Sequence, residues 1–343
     1  MLWASTFNPY IQETAVDYTG IESVHFGSAD MAQSKRFFSD WGLAKLSASA
    51  KLLRFQTGNG AEVVVRDASS TLLAPPLSEG AQFREFVLGV KSQRELDRLA
   101  NDLARDRHVH MDKDGVLHSV DDAGIHFGLR VSQRKVLKPP TVVPRNAPGQ
   151  RLRVDRISTL YDGAQPWQMG HIVFFVPDTK VAENFYRQRL GFHLSDRYVG
   201  GAGVFLRWAQ RSEHHNLFLL KSPTGKPALH HLAFEVRDQH EVFGGGLAFA
   251  KRGWATQVGP GRHPISSAYF WYFQNPMGGG IEYFCDPDYV TEKWKPHQYR
   301  VNRFSEWHLP KGIVQIDDDK MRPSLATAKA IERARAAMKD KTE

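Results

Sequence analysis

The feature that most constrains the fold of this chain is an internal repeat. An apolar strand pattern, a helix pattern and several short strand patterns follow one another four times. The first unit (IESVHFGSAD, then MAQSKRFFSDWGL) corresponds to the third (MGHIVFFVPD, then TKVAENFYRQRLGF), and the second (from FREFVLGV) corresponds to the fourth (from LHHLAFEV). Alternating apolar residues predict half-buried strands, and apolar residues at helical spacing predict helices. The sequence therefore predicts an α+β fold of four βαβββ modules arranged as two pairs.

Proline and basic residues crowd the stretch KVLKPPTVVPRNAPGQRLR between the two pairs, which is typical of a linker. We predict an N-terminal module pair over 17–134, a linker over 135–164, a C-terminal module pair over 165–290 and a tail over 291–343. The aromatic and basic first part of the tail has little periodicity, so it is interpreted either as a lid over a pocket or as a surface segment. Its end, KAIERARAAMKDK, is typical of a solvated amphipathic helix.

Composition limits the classes of partner. With 343 residues, 41% hydrophobic and 24% charged, the chain is typical of a folded protein of about two domains. The net charge is +8, but the basic residues are scattered, so nucleic acid is not an expected partner. No secretion signal or membrane-spanning apolar stretch is evident, and the single cysteine, Cys285, fits a reducing compartment. We expect a cytoplasmic protein that does not bind a membrane.

Three polar residues stand at corresponding places in three strand patterns of the C-terminal pair. They are His171 in MGHIVFFV, His231 in LHHLAFEV and Glu282 in GGGIEYF. Any one of them alone would more often be a core or edge residue. Together they form a 2-His-1-carboxylate set, which leaves coordination positions open for substrate and oxygen on Fe(II). The glutamate strengthens this interpretation, because a carboxylate in an apolar strand is costly to bury unless it is paired or bound to a metal.

Aligning the two halves by sequence places Ser23 against His171, Glu85 against His231 and His126 against Glu282. The N-terminal half then has a poorer set of ligands at the three positions. We therefore predict that only the C-terminal half binds a metal.

The segment over 259–289, GPGRHPISSAYFWYFQNPMGGGIEYFCDPDY, resembles the closing motif of type I extradiol ring-cleaving dioxygenases. These enzymes belong to the vicinal oxygen chelate superfamily, and the likeness is strongest to the homoprotocatechuate and dihydroxybiphenyl branches. The motif comprises GPGRH, a tyrosine ten residues before the glutamate and a histidine nine residues before that tyrosine. In this chain they are Glu282, Tyr272 and His263.

Upstream segments extend the resemblance over most of residues 17–290. GHIVFFVPD resembles the strand that carries the first metal ligand, which corresponds to His171. HHNLFLL, followed by ALHHLAFEV, resembles the stretch with an acid–base histidine and then the second ligand. The HNL pattern favours His215 over His214 as the acid–base residue, and His231 matches the ligand.

The resemblance implies a glyoxalase-like fold in which each module pair forms an open barrel-like sheet. It also implies Fe(II), or less often Mn(II), a catechol chelated to the metal, O2 as co-substrate and a homo-oligomer. His215 would exchange protons with the substrate, while His263 and Tyr272 would hydrogen bond to the catecholate oxygen. Four side chains are candidates for lining the substrate pocket: Trp208, Phe192, Phe270 and Val258.

The three aromatic pocket candidates would more often be plain core residues. Val258 stands where the homoprotocatechuate branch has an arginine for the acidic side chain of its substrate, so homoprotocatechuate itself is not the expected substrate. Two other classes stay open. One is another vicinal oxygen chelate enzyme, such as a glyoxalase-type isomerase, an epimerase or a thiol transferase, which usually offers four protein ligands. The other is a metal-free small-molecule-binding module.

Overall fold

The computed structural model describes residues 16–77, 82–135, 138, 140, 141, 143–156, 161–300 and 303–313. Within these ranges the chain folds into four consecutive modules, each consisting of a strand, a helix and further strands, which confirms the predicted repeat. The amphipathic helix expected near the end of the tail lies outside the described residues.

The N-terminal pair contains β1 (Tyr18–Ser28), α1 (Met31–Asp40), β2 (Ala44–Ala48), β3 (Leu52–Gln56), β4 (Glu62–Asp67), β5 (Phe83–Val90), α2 (Gln93–Leu103), β6 (His110–Met111), β7 (Leu117–Val120) and β8 (His126–Val131). The C-terminal pair contains β9 (Gln168–Val176), α3 (Thr179–Gln188), β10 (His193–Tyr198), β11 (Gly203–Arg207), β12 (Ser212–Glu213), β13 (Leu217–Lys221), β14 (Ala228–Glu235), α4 (Gln239–Lys251), β15 (Thr256–Arg262), β16 (Tyr269–Gln274) and β17 (Gly280–Cys285). The tail adds β18 (Tyr289–Val290), β19 (His297–Tyr299) and β20 (Trp307–His308).

The four α-helices in the described part of the chain each begin at a residue whose side chain caps the first turn. Asp30, Ser92, Asp178 and Asp238 each accept a hydrogen bond from a backbone N–H two or three residues further on. Such side chains satisfy N–H groups that have no partner within the helix. The caps follow directly after apolar strand patterns, so the sequence marks locally where each strand ends and each helix begins.

Each module pair forms one open sheet. The N-terminal sheet has the strand order β2-β3-β4-β1-β5-β8-β7-β6, and the C-terminal sheet has the order β19-β10-β11-β13-β9-β14-β17-β16-β15-β20. In both sheets the first strands of the two modules pair antiparallel at the centre, while each module's last strand runs parallel to its first. The strands that carry the candidate ligands, β9, β14 and β17, are therefore neighbours.

The central strand pairs contain matching β-bulges. Glu22 in β1 and Arg84 in β5 are extra residues in the N-terminal sheet, and Gly170 in β9 and His230 in β14 are extra residues at the same places in the C-terminal sheet. A bulge redirects the neighbouring side chains and is typical of functional sites. A Cβ atom at Gly170 would come within 2.3 Å of the ring of Phe284, so this bulge requires glycine.

A hydrophobic core joins the two halves. Trp41, which follows α1, stacks on Tyr283 of β17 with ring centroids 3.5 Å apart and an interplanar angle of 8°. The hydroxyl of Tyr283 donates a hydrogen bond to the carbonyl of Trp41 at 2.7 Å, and Phe249 of α4 packs edge-on against the same indole. Both stacked rings are fully buried. This contact connects the N-terminal half to the strand that carries Glu282.

No helix in the described part of the chain has the length and apolar character needed to cross a membrane.

Replacing Trp41 by alanine should lower the free energy of unfolding by about 3–5 kcal/mol, the usual cost of removing a large buried aromatic side chain. Urea unfolding followed by circular dichroism measures the change. Leu72→Ala is the control, since Leu72 is 75% exposed, and it should change stability by less than about 0.5 kcal/mol. If both variants behaved alike, the Trp41–Tyr283 stack would not hold the halves together.

Candidate metal centre

The side chains of His171, His231 and Glu282 converge in the C-terminal sheet. Glu282 Oε2 lies 3.1 Å from His171 Nε2 and 3.2 Å from His231 Nε2, and the two nitrogens are 3.3 Å apart. Among the described residues, this is the one group of three ligand-type side chains whose donor atoms lie within 4.8 Å of one another. The strand register explains the convergence, because Ala233 of β14 is paired with both His171 and Glu282.

The environment of Glu282 fits a divalent cation. Its side chain is buried, and within the described part of the chain its Oε1 atom accepts no hydrogen bond. The nearest cationic-type group to Oε1 is His263 Nε2 at 3.7 Å, which is too far for a hydrogen bond. Burial opposes ionisation, but hydrogen bonds from His171 and His231 outweigh it and hold the pKa of Glu282 well below its usual range. An ionised carboxylate with an unfilled acceptor beside two imidazoles is a suitable donor set for Fe(II) or Mn(II).

A second histidine, His230, contacts the ring nitrogen of His231 that points away from the ligand set. Nδ1 of His230, the bulge residue, lies 2.6 Å from Nδ1 of His231, so the Nε2 atom of His231 is left to face the ligand set. Burial, followed by the neighbouring His231, lowers the pKa of His230 to about 3, which keeps its ring neutral. Metal-binding histidines usually use their other ring nitrogen in this way. The HH pair is visible in the sequence, but no motif there predicts this role for His230.

Of the adjacent pair His214 and His215, only His215 lies beside the ligand set. Its ring centroid is 4.5 Å from that of His171, and the ring packs edge-on against Phe205. Burial, followed by the charge of His171, lowers the pKa of His215 well below its ordinary value. The His214 ring instead points to Asp196, with Nε2 2.7 Å from Asp196 Oδ2.

His263 and Tyr272 form a hydrogen-bonded pair on the other side of the ligand set. His263 Nε2 is 3.1 Å from the Tyr272 hydroxyl, and its Nδ1–H donates to the carbonyl of Phe304 at 2.5 Å. Tyr272 is the register partner of Glu282, so both side chains share one face of the sheet. Burial and the charge of Glu282 raise the pKa of Tyr272 well above its ordinary value, so the phenol keeps its proton.

The pocket candidates separate into two groups. Phe270 stacks on His263 with ring centroids 4.1 Å apart, and Val258 is the register partner of Tyr272, so both lie next to the site. Phe192 does not, because its ring packs in the hydrophobic core against Tyr18 and Tyr186.

Trp208 stays a predicted pocket residue. It follows β11 and packs, half-buried, against the main hydrophobic core. For Phe192 the expectation is wrong, because its side chain is buried in the hydrophobic core.

The described part of the tail contacts the site from both sides. Strand β19 pairs with β10, and β20 pairs with β15, so the tail adds a strand at each edge of the C-terminal sheet. Between these strands, Phe304 packs 5.2 Å from His263 and 5.3 Å from Phe270, measured between ring centroids. This placement is closer to a cover over the site than to a remote surface segment.

The strand register of the N-terminal half shows that one pairing in the alignment of the two halves, His126 with Glu282, is wrong. Ser23 pairs with Val87 as His171 pairs with Ala233, so Ser23 occupies the position of His171. Val87, however, pairs with Gly128, whereas Ala233 pairs with Glu282. The counterpart of Glu282 is therefore Gly128 and not His126. The similar motifs GIHFG and GIEYF are displaced by two residues in the strand register.

Several polar side chains near the corresponding place in the N-terminal sheet hydrogen bond to one another. Glu85, which does correspond to His231, accepts a hydrogen bond from His118 Nδ1 at 2.7 Å, and His118 Nε2 lies 3.2 Å from Asp112 Oδ2. Ser23 lies 2.9 Å from the ring of His25. The metal-free state of this half stays a prediction, and this network is its structural rationale.

Comparison with known proteins agrees with this geometry. Residues 168–283 match the model of the Glyoxalase/Bleomycin resistance protein/Dioxygenase superfamily. This segment, which contains all three candidate ligands, is thus a domain of that superfamily.

Two curated relatives match parts of this chain. Metapyrocatechase 2 from Cupriavidus necator is 38% identical over 125 residues, which cover 36% of this chain and 38% of the relative. The 3-methylcatechol 2,3-dioxygenase from Pseudomonas putida is 31% identical over 147 residues, which cover 40% of this chain and 48% of the relative. The chain therefore spans less than half the length of these curated relatives.

Two solved structures show the fold over most of the chain. The Mn(II)-bound glyoxalase from Novosphingobium aromaticivorans has a TM-score of 0.68 at 21% identity and covers 87% of this chain and 93% of its own. Homoprotocatechuate 2,3-dioxygenase from Arthrobacter globiformis has a TM-score of 0.64 at 20% identity and covers 92% of this chain and 98% of its own.

The link between His118 and Glu85 predicts a pH dependence of stability. The hydrogen bond to Glu85 raises the pKa of His118 from 6.5 to about 9. The stabilisation is therefore fully present below pH 6.5 and is lost as the pH rises through about 9. Because the ring is partly exposed, we expect a contribution of about 1 kcal/mol. His118→Gln should flatten the unfolding free energy across this pH window in urea titrations. The exposed His108→Gln is the control and should leave the slope intact.

The ligand set predicts the location of the metal. After anaerobic loading with Fe(II) or Mn(II) and desalting, the protein should retain one ion, and Glu282→Ala or His171→Ala should lose most of it. Elemental analysis measures the content, and the metal-dependent rise in melting temperature provides a second measurement. His118→Gln, in the N-terminal counterpart, should retain the ion. Full retention by Glu282→Ala, or loss by His118→Gln, would place the metal elsewhere.

Proposed function

We propose that the protein is an extradiol dioxygenase, which cleaves the ring of a catechol beside its two hydroxyl groups and inserts both atoms of O2. The metal would be Fe(II) or Mn(II), held by His171, His231 and Glu282. The observation that carries the proposal is the arrangement of His215 on one side of this ligand set and the His263–Tyr272 pair on the other. An ion that only stabilised the fold would have no need of these flanking groups.

The names of the relatives support the proposal for the metal without choosing between the two ions. One relative is an iron-dependent extradiol dioxygenase from Rhodococcus jostii, and another is a manganese-dependent 2,3-dihydroxybiphenyl 1,2-dioxygenase from Geobacillus genomosp. 3. Either ion accepts two imidazoles and a carboxylate. When bound, the ion would supply a Lewis acid and a template that brings catechol and O2 together.

The protein side chains would handle the protons. His215 has a low pKa and is neutral at physiological pH, so it can accept a proton from a catechol hydroxyl and return it after ring opening. Tyr272 keeps its proton, and its hydroxyl lies 3.1 Å from His263 Nε2. With the catechol bound, the Tyr272 O–H would turn from His263 and donate to the catecholate oxygen instead. Phe205 packs against His215, and Phe270 packs against His263. These rings would exclude water from the two histidines.

The substituent on the catechol ring should be apolar or small. Val258 lies on the same face as Tyr272 and offers no charge to a carboxylate. The net charge of +8 would favour an acidic substrate, but it is spread over the whole chain, so the local side chain is the better guide. A cytoplasmic location and a homo-oligomeric state are part of the same proposal, supported by the single cysteine and by the family resemblance.

A glyoxalase-type isomerase is the second candidate, favoured by the similarity to the Mn(II)-bound glyoxalase fold. Isomerases of this fold usually provide four protein ligands. Among the described residues, the ligand group contains three. Three ligands leave room for a chelating substrate together with O2, which favours the dioxygenase.

The function is tested by anaerobic reconstitution with Fe(II), addition of air and a panel of catechols. We expect consumption of one O2 per catechol and the yellow colour of a ring-opened product. Protein that consumed no oxygen with any catechol, yet isomerised a thiol adduct of an α-ketoaldehyde, would refute the dioxygenase.

His215→Ala is the matched variant for this assay. It should retain the metal but lose about 10²–10⁴-fold in turnover, the usual contribution of a general acid–base group. His108→Ala, an exposed histidine on the opposite half, should keep full turnover. Loss of the metal from His215→Ala would instead make His215 a ligand.

A further inference from the structure

A buried carboxylate lies behind the histidine pair at residues 214 and 215. Asp196 of β10 is fully buried, and its Oδ2 atom is 2.7 Å from Nε2 of His214, whose side chain is 1% exposed. On the other side of the His214 ring, Nδ1 is 3.2 Å from Nδ1 of His215. Asp196, His214 and His215 therefore form a continuous hydrogen-bonded row that ends beside the ligand set.

The direction of the hydrogen bonds in this row follows from the chemistry of its first member. An ionised carboxylate only accepts hydrogen bonds, so Nε2 of His214 must carry the proton that it donates to Asp196. In a neutral imidazole the other nitrogen is then an acceptor, so Nδ1 of His214 accepts from Nδ1–H of His215. The remaining nitrogen of His215, Nε2, is left with a free lone pair.

We propose that Asp196 is a positioning residue that, through His214, fixes His215 as the tautomer with a bare Nε2 facing the substrate. The tautomer of His215 is inferred from the hydrogen bonds alone, whereas its expected effect on kcat rests on the proposed function. A base must present a lone pair to the hydroxyl it deprotonates, and the opposite tautomer would present an N–H instead. A carboxylate that sets the tautomer of a catalytic histidine is a known device in hydrolases, here with one imidazole interposed.

The tail holds Asp196 in place. Its second oxygen, Oδ1, accepts a hydrogen bond from the backbone N–H of His297 at 2.6 Å and lies 3.2 Å from His297 Nδ1. Trp294 packs edge-on against His214 and donates to the carbonyl of Ser195 at 2.9 Å. With Oδ1 occupied by the tail, Oδ2 is directed at His214.

The competing interpretation is that Asp196 and His214 form a buried pair that only stabilises the sheet. Both interpretations expect a loss of stability in Asp196→Asn, so stability does not separate them. The tautomer of His215 does. In Asp196→Asn the amide nitrogen can donate to His214 Nε2, which would move the His214 proton to Nδ1 and the His215 proton to Nε2.

The first test is nitrogen NMR of the metal-free protein with ¹⁵N-labelled histidine, which reports which ring nitrogen carries each proton and needs no activity. Signals are assigned by their loss in His214→Ala and His215→Ala. We expect Nε2–H for His214 and Nδ1–H for His215 in the native protein, and reversal of both in Asp196→Asn. Nε2–H on His215 in the native protein, or no reversal in the variant, overturns the proposal.

The second test uses the reconstituted enzyme. Asp196→Asn should retain the metal and leave KM for the catechol almost unchanged, while kcat falls by about 10²–10⁴-fold, in the range found when a histidine adopts the wrong tautomer. Asp121→Asn is the matched control, since Asp121 is also a buried aspartate, bonded to Tyr186 at 2.7 Å away from the ligand set. Equal losses in the two variants overturn the positioning role. If neither protein nor variant cleaves any catechol, the proposed function fails, and the NMR result still decides the tautomer.

Discussion

The buried carboxylate of Glu282 is the constraint on which the rest of the site depends. It is enclosed by protein, and one of its oxygens accepts no hydrogen bond within the described residues. A carboxylate in such surroundings is strongly destabilising unless a positive charge compensates it. Protonating His171 and His231 would place two cations 3.3 Å apart, so one divalent ion satisfies all three side chains better. The bulges at Gly170 and His230, next to the two histidines, are understood as the backbone adjustment that aims these side chains at one point.

The two halves have the same strand arrangement, but only the C-terminal half has a buried carboxylate at the position of Glu282. Both central strand pairs contain bulges at matching places, yet the N-terminal sheet has Gly128 in the place of Glu282. A Cβ atom at Gly128 would come within 2.9 Å of Val116 and 3.0 Å of Val87, so apolar side chains fill the space of the carboxylate. The carboxylate that does remain, Glu85, has His118 as its partner. Within the described residues of this half, no three ligand-type side chains come together as His171, His231 and Glu282 do, and the half contacts the other half through packing.

Much of the fold could be predicted because its signals are local or periodic. The helix caps, the apolar alternation and the repeat of four modules are all visible in short windows of sequence, and the three candidate ligands share one place in that repeat. Register was not visible, because a shift of two residues preserves alternation, so His126 was aligned wrongly. Nor does the sequence tell on which side of a sheet a residue just before a strand packs, which is why the expectation for Phe192, which precedes β10, is wrong. Asp196 had no motif, since its contacts with His214 and His297 exist only after the strands assemble.

The repeated modules and the tail contribute different parts of the site. The candidate metal ligands come from β9, β14 and β17, which belong to the repeated fold, whereas the histidines proposed to act in proton transfer and hydrogen bonding depend on tail atoms. The backbone of His297 holds the carboxylate behind His214, and the carbonyl of Phe304 accepts from Nδ1 of His263, leaving its Nε2 for Tyr272. One segment outside the modules thus orients histidines on both sides of the ligand set. A fold that supports many reactions can acquire a particular one in this way, because the chemistry around the metal changes while the strands that hold the metal do not.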